Sequence, residues 1–187
     1  MDNLLILPAI IAVVVIVVLF KFISISNKLR RYQVIINESK RNVDIALAKR
    51  YDTISEMIKV AKSFATHEKN TLSDIVRLRQ EGSITDSNDA IKNQNDAIRQ
   101  IYALAESYPE LKSSDEFLNL QEEIDDENEK LAACKRIVNN NISIFNQEVV
   151  SFPSSVVASV INIKQLDFLV EEDLSNKKSI NNFDYNV

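Results

Sequence analysis

Glycine is nearly missing from this chain: one residue, Gly82, among 187. Average usage is about 7%. Tight hairpins, bulges and phosphate-cradling loops draw on residues that tolerate positive φ. The scarcity therefore excludes a β-rich fold or a glycine-loop nucleotide site, and leaves asparagine to serve the few positions that need such freedom. Tryptophan is absent, and only three prolines interrupt the chain. The single cysteine, Cys134, has no partner for an internal disulfide, so the fold depends on no oxidising compartment. One histidine and one cysteine are too few for most zinc sites. The net charge of −5 disfavours nucleic-acid binding, which runs on clustered Lys and Arg.

What is present is helix-forming. The chain is 45% hydrophobic and 26% charged, enough to fold around a core. Leu4 to Phe20 carries no charge, and Phe22, Ile23 and Ile25 continue the apolar run past Lys21. The stretch approaches the roughly 20 residues that cross a bilayer at 1.5 Å each, with the Lys21 ammonium reaching toward the interface. Pro8 falls in the first two turns, where its missing N–H matters least. A cleavable signal peptide is the competing reading. It needs a positive leader, whereas this one is Met1-Asp2-Asn3, and Ser24-Ile25-Ser26 is the only passable cleavage motif. Residues 1–25 are therefore read as a transmembrane signal-anchor, with the lipid bilayer as partner through residues 4–25.

Basic residues set the expected orientation. None precedes the span. Lys21, Lys28, Arg30, Arg31, Lys40, Arg41, Lys49 and Arg50 follow it, against Glu38 and Asp44. By the positive-inside rule this predicts a single-pass protein of the inner (cytoplasmic) membrane, N-terminus outside and the body in the cytoplasm.

Beyond the span, apolar residues step by three and four. Leu29, Tyr32, Ile36, Val43 and Leu47 form one stripe. The Thr-x-x-Glu spacing at Thr53 and Glu56 reads as a capping box, hence a helix boundary or kink between Tyr51 and Glu56. A second stripe runs from Ile54 through Met57, Ile58, Ala61 and Phe64 to Leu72, Ile75 and Val76, ending near Gly82. A third carries Ile91, Ile98, Ile101, Tyr102 and Ala105 and is closed by Pro109. Ser113-Ser114-Asp115-Glu116 reads as a box opening the longest helix, with Phe117, Leu120, Ile124, Leu131, Val138, Ile142, Phe145 and Val149 inward. Phe152-Pro153-Ser154-Ser155 reads as a stop and a fresh cap. It precedes a short helix with Val156, Val157, Val160, Ile161 and Leu166. Residues 169–187 read as a disordered polar tail. The fold class is all-α: a transmembrane helix, then an antiparallel four-helix bundle over 26–168 with a short extra C-terminal helix.

Three groups of residues are candidate sites. Between Glu106 and Leu131 acids far outnumber bases. Glu122, Glu123, Asp125, Asp126 and Glu129 make a face that binds a basic partner or loose cations, or is simply solvated, and solvation is the preferred reading. Lys28, Arg30 and Arg31, just past the span, are placed for anionic lipid headgroups at about 1 kcal/mol each. Glu68 lies near the second stripe, within reach of Arg50 or Arg79, as a polar layer that fixes helix register. A di-iron bundle needs Glu-x-x-His on two helices, but Phe64 stands where His67 would need a Glu. No nucleophile has a histidine base, so no catalytic residue and no cofactor are expected.

The order of several short elements is similar to that of the LemA family of bacterial membrane proteins, over roughly residues 4 to 168. These elements are Asn27-Lys28-Leu29, the run from Val43 to Asp52, Ala65-Thr66-His67-Glu68, and Glu106-Ser107-Tyr108-Pro109-Glu110-Leu111. Phe117 to Gln121, Phe145-Asn146 and Phe152-Pro153-Ser154 complete the series. The sequence departs at Ile54-Ser55-Glu56-Met57, where the family usually has a proline. The resemblance implies one membrane helix and a cytoplasmic helical body. It implies no settled activity and brings no catalytic residues. The expected role is a non-enzymatic scaffold or adaptor for an unidentified protein partner, with an extracytoplasmic envelope-associated binding or stress module as the alternative.

Overall fold

The computed structural model describes residues 3–64 and 87–169. All regular structure among them is helical. In chain order the elements are α1 (Asn3–Phe64), α2 (Ser87–Ser107), α3 (Pro109–Lys112), α4 (Asp115–Val150) and α5 (Ser154–Val160).

α1 is unbroken for 62 residues. The expected boundary between Tyr51 and Glu56 is not there. A capping box requires Thr53 to leave helical geometry and turn its hydroxyl forward. Instead Thr53 Oγ1 donates back to the Lys49 carbonyl (3.4 Å) and Ser55 Oγ to that of Tyr51 (2.8 Å). Both hydroxyls are thereby satisfied inside the helix. On either side Arg50, Ile54, Met57 and Ile58 are all buried, so continuing the helix keeps one inward stripe intact. α1 rather than α4 is therefore the longest helix.

The chain divides into two compact units, Met1–Ser39 with Val138–Phe168, and Lys40–Ile137 with Leu169–Val187. In the first, Leu29 and Ile36 of α1 and Val138, Ile142, Phe145 and Val149 of α4 are buried, each at the stripe position its spacing predicts. α4 ends at Val150, and α5 turns Ser154, Val157 and Ala158 inward. No side chain caps α5: Ser154 Oγ donates instead to Glu148 Oε1 (2.5 Å). At its other end Asn162 takes the left-handed conformation (φ 55°). The Asn162 N–H then reaches the Ser159 carbonyl and the Ile163 N–H that of Ala158, a Schellman closure with asparagine in the place of glycine. Leu166, expected in this helix, lies beyond it. Its backbone N–H and C=O are both held by the Asn146 side chain at 2.8 Å.

The second unit is built from the later half of α1, α2, α3 and the first half of α4. Its core joins Met57, Ile58 and Ala61 to Ile98, Ile101, Leu111, Phe117 and Ile124. Ser87 Oγ donates to Asp44, and Arg50 reaches Gln94 and Asn95, so residue numbers rise together and α2 runs parallel to α1. α2 begins about 30 Å before α1 ends. Pro109 stops α2 and opens α3 at a position where no N–H is required. Ser114, rather than Ser113, caps α4 by accepting the Phe117 N–H (3.3 Å), while the Ser113 hydroxyl donates to Pro109. The all-α class and a helical bundle stand as expected, but the two helices expected before Gly82 are one continuous α1, and α2 runs parallel rather than antiparallel to it. The far part of the second stripe, Gly82 and the polar tail beyond Leu169 lie outside the described residues.

Candidate functional site

The acidic face is formed by α4. Period 3.6 turns Ile124 and Leu131 into the second unit's core and leaves Glu122, Glu123, Asp125, Asp126 and Glu129 exposed, as a solvated face requires. One acid goes the other way. Glu127, three residues after Ile124 and four before Leu131, is 6% exposed. Its Oε1 accepts from Lys130 (3.0 Å), and its Oε2 has no hydrogen-bond partner among the described residues. That hydrogen bond, with the attraction of the same carboxylate, raises the Lys130 pKa. The gap in the stripe between Ile124 and Leu131 was the signal for a buried acid here.

Arg50 is buried, as a polar layer demands, but its described neighbours differ from those expected. Its guanidinium donates to Gln94 Oε1 (3.4 Å) and Asn95 Oδ1 (2.5 Å), and Gln94 Nε2 donates to the Leu47 carbonyl (3.0 Å). Gln94 and Asn95 sit three and four residues after Ile91, on the apolar stripe of α2, where an amide is legible as a layer member. Glu68 and Arg79, and the histidine beside them, lie outside the described residues.

Beside this layer a cleft of about 600 Å³ is lined by Arg50, Arg99, Tyr102, Asn128, Lys135 and Arg136, among others. Burial raises the Tyr102 pKa, helped by the nearby Asp125 and opposed by Arg50. The lining holds hydrogen-bond donors but no nucleophile with a base. Among the described residues no group of three or more His, Cys, Asp or Glu is placed to hold a metal ion.

The basic residues past the apolar run divide. Arg30 and Arg31 are exposed on α1. Lys28 is engaged: its ammonium donates to Glu148 Oε2 at 2.7 Å and stands 5.9 Å from the centroid of the Tyr32 ring. Donating this hydrogen bond to Glu148 raises the Lys28 pKa. The same bond, with that from Ser154, holds Glu148 below the usual carboxylate range.

The sequence pattern of the LemA family matches residues 39–181. The chain belongs to the LemA family. Protein LemA of Metamycoplasma hominis is a relative, 26% identical over 149 residues, which is 77% of this chain and 68% of that one. The match to the family pattern takes in Arg50, Gln94, Asn95, the acidic face and the Asn146 clamp. Lys28, Arg30, Arg31 and the apolar run precede it.

Proposed function

We propose that this LemA protein is a single-pass membrane-anchored scaffold whose helical body presents docking faces and carries out no catalysis. The observation that carries the reading is the first part of α1. An 18-residue window reaches a mean hydropathy of 2.8 with none of it buried. In water the ten large apolar side chains from Ile10 to Phe20 that are half or more exposed would be a severe aggregation liability. In hydrocarbon they are at home. The charge pattern after the span argues for the inner membrane with the N-terminus outside and the body in the cytoplasm. Arg30 and Arg31 then face the headgroups, and Glu122, Glu123, Asp125, Asp126 and Glu129 offer a basic partner protein a surface free of structural duty. The finer role belongs to that partner.

Alkaline carbonate washing of membranes from cells making the full chain tests the anchor. A spanning helix keeps the protein in the membrane pellet. Quantitative release into the supernatant would contradict the proposal.

A further inference from the structure

A second uncharged stretch lies far from the first in sequence. From Val149 to Ile163 there is no charged side chain, in a chain that is 26% charged. The structure leaves its large apolar groups in the open: Phe152 is 85% exposed, Val160 69%, and Val150 and Val156 more than half. α5 buries Ser154, Val157 and Ala158, so its outward face carries Val156, Ser159 and Val160, where a water-facing helix would carry charge.

The position of this stretch in the first unit follows from one ion pair. α1 leaves that unit at Ser39, and α4 enters it at Val138. Lys28 and Glu148 lie nearly equal distances from those crossings and are bonded at 2.7 Å, so the two helices run antiparallel in that register. Continuing about 6 Å beyond the pair brings the turn at Phe152 level with Ser24 and Ile25, the end of the apolar span. The segment is held there by the Ser154–Glu148 bond, the closure at Asn162 and the Asn146 clamp on Leu166. Its apolar side chains are therefore presented by a fixed scaffold.

We infer that the turn and helix from Val150 to Val160, led by Phe152, form a second lipid contact that inserts into the headgroup–acyl boundary beside the transmembrane helix. The inference rests on the anchor reading. The occupant is the bilayer because the patch continues, at the same level, the apolar surface of α1 that ends at Ile25, and because it lacks the charges that would oppose entry. Interfacial apolar faces of this kind sink about 5–10 Å. The contact gives the body a second point of attachment, fixing its tilt on the membrane where one helix alone would leave it free to swing.

The absence of tryptophan makes the test clean. Three full-length variants, Val14→Trp, Phe152→Trp and Leu118→Trp, each carry a single tryptophan at an exposed site. They are reconstituted into phosphatidylcholine–phosphatidylglycerol vesicles containing lipids brominated high or low on the acyl chain. The expected result is quenching of V14W by deep bromines, of F152W chiefly by shallow ones, and none of L118W. Quenching of V14W with F152W left unquenched and red-emitting overturns the second contact and leaves the anchor standing. Blue-shifted but unquenched F152W emission that depends on protein density assigns the patch to a second copy of the chain, and also overturns it. If V14W too escapes quenching, the anchor reading and this inference fall together.

Discussion

Lys28 Nζ sits 2.7 Å from Glu148 Oε2 and joins two residues 120 positions apart. This pair ties the first helix, just past its apolar part, to the last turn of α4. Glu148 is the better sheltered partner, and Ser154 donates to its other oxygen.

Removing the Glu148 charge has a pH-dependent effect with a definite sign. The folded-state pKa of Glu148 lies below its ordinary value of 4.5, so its contribution is fully present above that value and is lost as pH falls through the folded one. Lys28 is shifted upward from 10.5, so its contribution persists across neutral pH and is lost only as pH rises through its folded value. With Lys28 half exposed, the pair contributes about 1 kcal/mol or less. Glu148→Gln in detergent-solubilised protein is expected to lower the unfolding midpoint at pH 7. The gap from the native protein closes as pH drops below 4.5. A gap that widens with acid would contradict this.

Within one stretch of α4, neighbouring acids differ in what their removal is expected to do. Glu127 is buried with one oxygen unsatisfied among the described residues, and its partner Lys130 is exposed and loses nothing by release. Glu127→Leu replaces a half-satisfied charge by an apolar side chain of similar size, and is expected to leave stability unchanged or raise it by about 1 kcal/mol or more. Glu122→Leu or Asp126→Leu, on the exposed face, should stay within about 0.5 kcal/mol. Thermal unfolding of the three variants side by side checks the contrast.

The Arg50 layer behaves differently. Arg50→Leu leaves the Gln94 and Asn95 oxygens without the guanidinium donor, at about 1–3 kcal/mol for each that finds no replacement. Gln94→Leu removes one acceptor and also the donor to the Leu47 carbonyl. Both variants are expected to destabilise, and a double variant should cost less than the sum because the groups share one network. Denaturant unfolding of the single and double variants measures that coupling.

Phe117 and Phe145 are both fully buried on α4, one in each compact unit. Truncation to alanine at either site should cost about 3–5 kcal/mol. Hydrogen exchange of the full chain would locate the loss: Phe117→Ala should loosen amides of α2 and α4 near the shared core, and Phe145→Ala those around α5.

Much of this was legible in the sequence because it follows from one rule. The stripe from Phe117 to Val149 is inward wherever the period of 3.6 puts it, and the scarcity of glycine left no competing sheet. The errors have a common physical source. At Thr53 the spacing of a capping box was present, but the hydroxyl had a second acceptor four residues back, and the buried stripe on both sides favoured an unbroken helix. At Ser154 the hydroxyl chose Glu148, a partner no local spacing reveals. Short helices suffer most: Val156 and Val160 look like core residues until Ser154, Val157 and Ala158 take the inner face. Among candidate sites, the exposure of the acids on α4 follows from periodicity, whereas Arg50 entered only as a partner for Glu68, and its own burial comes from its place between Leu47 and Ile54 on the α1 stripe. The engagement of Lys28 was not readable, since it depends on how two distant helices register.

The measurement that bears most directly on the central account is the side of the membrane on which the body lies. In a Cys134→Ser background, Glu122→Cys puts the chain's only thiol on the exposed face of α4. Intact and opened cells are then treated with a membrane-impermeant maleimide. Labelling only after opening is the predicted result for a span with its basic flank and body in the cytoplasm. Equal labelling in intact cells would place the body outside and contradict the account.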